Sequence, residues 1–210
     1  MFEWSELVSF LLATVILNLT PGSDVLFVAT QSIGGGLKGG LCATLGVSFG
    51  CIFHICAVAF GLAELLNFYP LAFNAVKVIG AAYLFYLAYQ SFKSGSLDFE
   101  NIQGSRLGVQ ETFFRGALTN ILNPKVALFF LAFLPQFINA ERGSLIQQTF
   151  FLGALFIISG TLVNFAYAVV FCFARERLKN SQSFQRYLGK VTAGVFGVLA
   201  FKLIFTENKA

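Results

Sequence analysis

Charge is what this chain has least of. Its 210 residues include 14 Lys and Arg against 10 Asp and Glu, so 11% are charged, where a soluble domain usually carries about 25%. Water is thereby excluded as the solvent for most of its surface. Strand-period alternation is absent as well, which excludes a transmembrane barrel and leaves helices as the way to cross a bilayer. No G-x-x-x-x-G-K-[ST] loop occurs, so nothing points to a self-contained ATP-driven pump. No C-x-x-C pair occurs either. Cys42, Cys51, Cys56 and Cys172 sit inside apolar runs without ligand-like spacing, which reads as reduced packing residues with no metal and no disulfide. The first six residues hold no Lys or Arg, so the basic start of a signal peptide is missing and the first apolar segment is expected to be retained. The net charge of +4 is spread over connections, which argues against a nucleic-acid partner. No cofactor is called for.

What is present is apolar. Hydrophobic residues make up 57%, Phe alone occurs 27 times, and the mean hydropathy is +0.76. The expected fold is an all-α integral membrane protein with the lipid bilayer as its solvent. A hydrocarbon core of about 30 Å needs about 20 helical residues, and six segments meet that: 7–33, 41–66, 71–92, 117–138, 149–173 and 187–205. The one long, polar connection divides the chain into a three-helix repeat at 1–95, a cytoplasmic linker at 96–115 and a second three-helix repeat at 116–210. The halves resemble each other weakly. Leu26-Phe27 follow Pro21 as Phe129-Phe130 follow Pro124, and Lys77-Val78 and Lys190-Val191 open the third and sixth spans. Three is an odd number of passes, so a repeated half is inverted, a common transporter plan.

Orientation follows from Lys and Arg. One set of connections holds Lys38, Lys93, Arg106, Arg115, Arg175, Arg177, Lys179, Arg186 and Lys190, against Lys77, Arg142, Lys202 and Lys209 on the other side. The first set belongs in the cytoplasm by the positive-inside rule, with both termini outside.

Two spans are interrupted. Span 1 contains Asn18, Thr20, Pro21, Gly22, Ser23 and Asp24; span 4 contains Asn120, Asn123, Pro124 and Lys125. Proline removes a backbone donor and clashes with the carbonyl four residues back, so each helix should break there. Proline kinks are common in membrane helices, and Pro21 alone carries little. Asp24 and Lys125 carry more, because a charge inside a span is costly and usually faces a cavity or a partner. The ten residues together form the candidate substrate site. The plain alternatives are Asp24 as a helix cap and Lys125 snorkelling to the surface. If the two breaks meet, Asp24 and Lys125 could pair, and a zwitterionic amino acid could compete for both. Protonation of Asp24 would then couple transport to protons. His54, the single histidine, is a second candidate for proton coupling, against a packing role.

These residues resemble the LysE/RhtB family of amino-acid exporters over nearly the whole length. The resemblance rests on the Pro-Gly break, on Gly35-Gly36-Leu37-Lys38-Gly39-Gly40 and on Gly80-Ala81-Ala82-Tyr83-Leu84. It continues through Asn123-Pro124-Lys125 with Phe129-Phe130 and Pro135-Gln136-Phe137. The family's first break usually reads Pro-Gly-Pro; here Ser23 replaces the second proline, loosening the break and offering a hydroxyl to the solute. The resemblance implies export of amino acids or close analogues, driven by the proton motive force, from a bacterial inner membrane. The small-xxx-small pairs Gly36/Gly40, Gly46/Gly50 and Ala57/Gly61 read as packing faces, compatible with a homodimer. Other classes are weaker. A channel or assembly subunit has no need of two charged breaks, and a hydrolase built on Ser23 with His54 lacks a third orienting group.

Overall fold

The computed structural model describes residues 2–68, 104 and 106–173, with isolated helical positions between 78 and 89 and between 190 and 201. The expected spans at 71–92 and 187–205, and much of the expected linker, lie outside the described residues. The six-span inverted repeat therefore rests on the sequence. Among the described residues there is no strand, and the order is α1 (Trp4–Leu19), α2 (Ser23–Phe68), α3 (Val109–Ile121) and α4 (Pro124–Leu128). A π turn at Phe129–Phe133, 3-10 turns at Leu134–Phe137 and Ala140–Arg142, and α5 (Leu145–Phe173) follow. Val109 to Arg115, placed in the linker from sequence, are helical and continue into α3.

Local chemistry sets most of these ends. Glu3 and Glu6 cap the start of α1 reciprocally. Its end at Leu19 follows from Pro21, which has no N–H to give the Leu17 carbonyl. The second break is set the same way: Asn123 Oδ1 accepts from the Lys125 N–H at 3.0 Å, and Pro124 opens α4, the position where a missing N–H costs nothing.

α2 is a hairpin rather than one rod. Gly36 has φ 65° and ψ −164°, left-handed backbone that a side chain would strain. A Cβ on Gly39 would lie 2.6 Å from the Gln31 carbonyl oxygen, and one on Gly40 would lie 2.2 Å from Ser32 Oγ. In a straight helix residues eight apart stand about 12 Å apart, so the two limbs lie side by side, and Val28 packs with Ala43 and Val47. The glycine cluster expected as a connection at 34–40 is thus a tight turn with helix running up to it from both sides.

By length and composition, Ser23–Gly61 and Leu145–Phe173 are apolar enough to cross a membrane. Val109–Ile121 with Pro124–Phe137, bent by 46° at the second break, makes a third candidate. α3 lies against the second limb of α2 almost backbone to backbone. A Cβ on Gly46 would meet the Phe113 oxygen at 2.2 Å, and one on Gly50 the Ala117 oxygen at 2.4 Å. This pair of glycines is therefore consumed within the chain and offers no face to a second copy. The main core is aromatic: Phe10, Phe129, Phe130, Phe133, Phe137 and Phe156 are buried together. At one end Arg142 binds Glu6, and Glu3 at 3.6 Å, tying the start of α1 to the turn before α5.

Replacing Gly50 with Val should force α2 and α3 apart and cost about 1–3 kcal/mol, seen as a thermal midpoint several degrees lower in detergent. Gly61→Ala, with open space around it, should leave the midpoint unchanged.

Candidate functional site

The two breaks meet. Pro21 has no N–H for the Leu17 carbonyl, which accepts instead from the Thr20 N–H at 3.1 Å, and the Thr20 carbonyl lies at the end of α1. Lys125, reaching in from the start of α4, donates from Nζ to both, at 3.2 Å to Leu17 and 2.9 Å to Thr20. A carbonyl-terminated helix end carries partial negative charge, so the ammonium is held by the end of α1 as a C-cap would be. Gly22 makes room for it, since a Cβ there would stand 3.2 Å from Nζ. Lys125 is buried and does not snorkel. Nor does it form the direct ion pair with Asp24 that the sequence suggests. The two charges lie near enough to interact, but the ammonium's hydrogen bonds go to main-chain carbonyls at the end of α1.

Asp24 sits in the first turn of α2, where the helix dipole favours a carboxylate. Its Oδ2 accepts from Asn120 Nδ2 at 3.2 Å. Its Oδ1 is buried without a hydrogen-bond partner among the described residues, as are Asn120 Oδ1 and Asn123 Nδ2. Buried polar atoms are normally satisfied; the Asn123 amide lies within reach of the Asp24 carboxylate, so a small shift would pair those two and leave the Asn120 oxygen. His54 reaches Asp24 only indirectly. Its Nε2 contacts the Asn120 carbonyl at 3.0 Å; a carbonyl only accepts, so this nitrogen carries the hydrogen. The ring stacks on Phe130. In this arrangement His54 holds Asn120 in place.

A cavity opens beside these groups, lined by Asn18, Asp24 and Asn120 together with Ser48, Thr161 and Asn164, over apolar walls that include Val47, Cys51 and Phe156. Its room is about 20 Å³, space for about one water, so the helices around it must part before a solute enters. Asn18 donates to Ser159 Oγ at 3.1 Å, and Ser48 and Thr161 share a hydroxyl contact of 2.7 Å. Gly160 is small because Asn18 lies across it: a Cβ there would meet Asn18 at 3.2 Å.

Of the ten residues expected at the site, the structure brings Asn18, Asp24 and Asn120 to the cavity wall. Thr20, Asn123 and Lys125 are buried behind it, Pro21 and Gly22 form the half-buried break, and Ser23 and Pro124 are exposed. The Thr20 hydroxyl donates to the Ile16 carbonyl at 2.9 Å and so serves its own helix. The residues missed from the site are Ser48 and the run Ser159-Gly160-Thr161. Their signal was present in the sequence as small polar residues inside uniformly apolar helices.

A family model described as LysE type translocator matches residues 15–207. The chain belongs to this family. It is a multi-pass membrane transporter and not an enzyme. It is 33% identical over 170 residues to a homoserine/homoserine lactone efflux protein of Salmonella typhimurium, covering 80% of this chain and 81% of the relative. A leucine efflux protein of Salmonella choleraesuis is 28% identical over 201 residues, 91% of this chain and 89% of the relative. An uncharacterized membrane protein, YrhP, of Bacillus subtilis is 28% identical over 196 residues, 89% and 92% of the two chains. No solved structure matches.

Lys125→Met keeps the length of the side chain and removes its donors, leaving the Thr20 carbonyl uncapped and the Leu17 carbonyl with the Thr20 N–H alone. Hydrogen bonds from charged groups contribute roughly 1.5–3 kcal/mol, so thermal unfolding of the purified variant should begin several degrees earlier. A variant as stable as the parent would refute the capping role.

Proposed function

We propose that this translocator exports amino acids or close analogues from the cytoplasm of a bacterium across its inner membrane, by exchange with protons. The supporting observation is Asp24, a buried carboxylate on a cavity wall, at a helix break, with one oxygen unsatisfied. Export as the activity comes from the efflux names of the relatives. The architecture that suits it is six spans in two inverted halves with both termini outside, and the outward apolar side chains, Phe49, Phe53 and Leu162 among them, lie against lipid.

The chemistry of exchange needs one group that cannot hold cargo and proton together. Asp24 meets that condition. Ionised, it attracts the ammonium of an amino acid entering from the cytoplasm. When the cavity opens to the more acidic outer side, a proton on the same carboxylate cancels the charge and releases the cargo. Lys125 stays on the helix end throughout, so the two halves of the break remain joined while the load changes. Asn120 and Asn123 support the carboxylate and His54 steadies Asn120. The exposed Ser23 is left with a role in starting α2.

The test is efflux of labelled amino acids from loaded cells, comparing the parent protein with Asp24→Asn, with and without an uncoupler. Efflux that the uncoupler abolishes and Asp24→Asn lacks, at equal membrane abundance, is the expected result. A variant that exports at the parental rate would remove Asp24 from the coupling step, and no efflux of any amino acid from well-expressed parent would overturn amino-acid export.

A further inference from the structure

We infer that the closed cavity is a sodium site, in which Na+ is held by the Asp24 carboxylate, the Asn120 amide oxygen and the Ser48 and Thr161 hydroxyl oxygens. The ion holds Asp24 ionised while no cargo is present. Its role rests on the export reading above, since both use one carboxylate, but its binding can be measured without transport.

The room between the helices sets the size of the ligand. About 20 Å³ exceeds the roughly 10–15 Å³ that one water needs and shuts out an amino acid until the helices part. A bare Na+ is no larger than a water and fits the closed form; K+ is larger and fits it less well. Charge sets the kind of ligand. Asp24, 6% exposed, lines this space, and a buried carboxylate needs a partner of opposite sign. Lys125 meets part of that need from behind the wall, with its ammonium hydrogen-bonded to the Leu17 and Thr20 carbonyls. One carboxylate shared with a lysine suits a monovalent ion and falls short of the ligand charge that Ca2+ sites gather.

The neutral groups are turned into acceptors by their own bonds. Thr161 has a single hydroxyl hydrogen and donates it to the Ile157 carbonyl at 2.7 Å. The hydrogen in the 2.7 Å contact between Ser48 and Thr161 therefore comes from Ser48, and both oxygens have only lone pairs left to offer. Asn120 donates from Nδ2 to Asp24 Oδ2 at 3.2 Å, which orients its amide. Its Oδ1, on a side chain 2% exposed, accepts from nothing among the described residues. A carboxylate oxygen accepts more than once, so Asp24 Oδ1 keeps a lone pair even when the Asn123 amide bonds it. Carboxylate, amide and hydroxyl oxygens on the wall of a void this small are the ligand types of a hard cation, and transporters hold coupling ions at broken spans. A water there would satisfy two of these acceptors and leave the carboxylate's charge unanswered.

The experiment uses the purified full chain in detergent at neutral pH. Its thermal midpoint is followed as sodium chloride replaces choline chloride at constant ionic strength, with potassium chloride as a second series. Sodium should raise the midpoint saturably by several degrees, with half-saturation in the millimolar range because Lys125 shares the carboxylate. Potassium should raise it less. Ser48→Ala should need about tenfold more sodium for the same shift, and Asp24→Asn should show no shift. Thr161→Val, which keeps the shape of the side chain, should behave like Ser48→Ala and carries the test if Asp24→Asn does not fold. Equal midpoints in sodium and choline would overturn the inference, as would a sodium response that Ser48→Ala and Thr161→Val both leave unchanged. Either result would leave export intact, whereas a sodium response in a protein that effluxes no amino acid would fell the export reading alone.

Discussion

One ammonium on two carbonyls joins this molecule at its centre. Proline in a membrane helix leaves a carbonyl that lipid cannot satisfy, and a lysine inside a span is a charge that lipid cannot solvate. Each is a liability alone. Brought together, Pro21 supplies the acceptors that Lys125 needs and Lys125 supplies the donors that Pro21 denies. The contact fixes the end of α1 against the start of α4, and with it the position of Asp24 three residues beyond the proline. The cavity wall then follows from the way α2 leaves that junction.

The second constraint is backbone proximity. Glycines at 46 and 50 let α3 press its main chain onto α2, which brings Asn120, at the far end of α3, within hydrogen-bond distance of Asp24. A bulkier face on α2 would hold Asn120 away and leave the carboxylate alone in an apolar setting. His54, on the same limb of α2, completes the arrangement by holding the Asn120 main chain. The glycines thus bear on the site without touching it, through the spacing of two helices.

Much of this was legible in the residues, and the illegible part has physical causes. The breaks at Pro21 and Pro124 could be read because proline acts on its own local backbone, whatever surrounds it. The glycine turn at Gly36 could be read as a connection, though its tightness could not, because the side-by-side fit of the limbs depends on Gly39, Gly40 and their contacts across the turn. The partner of Lys125 was misjudged. Opposite charges suggest a pair, but main-chain acceptors are invisible in a list of side chains, and here they hold the ammonium. Ser48 was missed because a lone hydroxyl in an apolar helix often serves packing, and Thr161 because α5 is apolar all round, without a polar stripe to single out the side facing the cavity. That side is decided by packing against α1 and α2.

The π turn at Phe129–Phe133 has an effect on the core that spacing alone conceals. Residues four apart on an ordinary helix overshoot a full turn by about 40°, so two such steps in series swing off any fixed face. Phe129, Phe133 and Phe137 are four apart, yet their rings succeed one another at 5.1 and 5.2 Å, and both Phe129 and Phe137 touch Phe10. Between Phe129 and Phe133 the wider turn absorbs the overshoot. It acts there as a phase correction for one step of the aromatic column, and the 3-10 stretch at Leu134–Phe137 carries the chain on to Phe137.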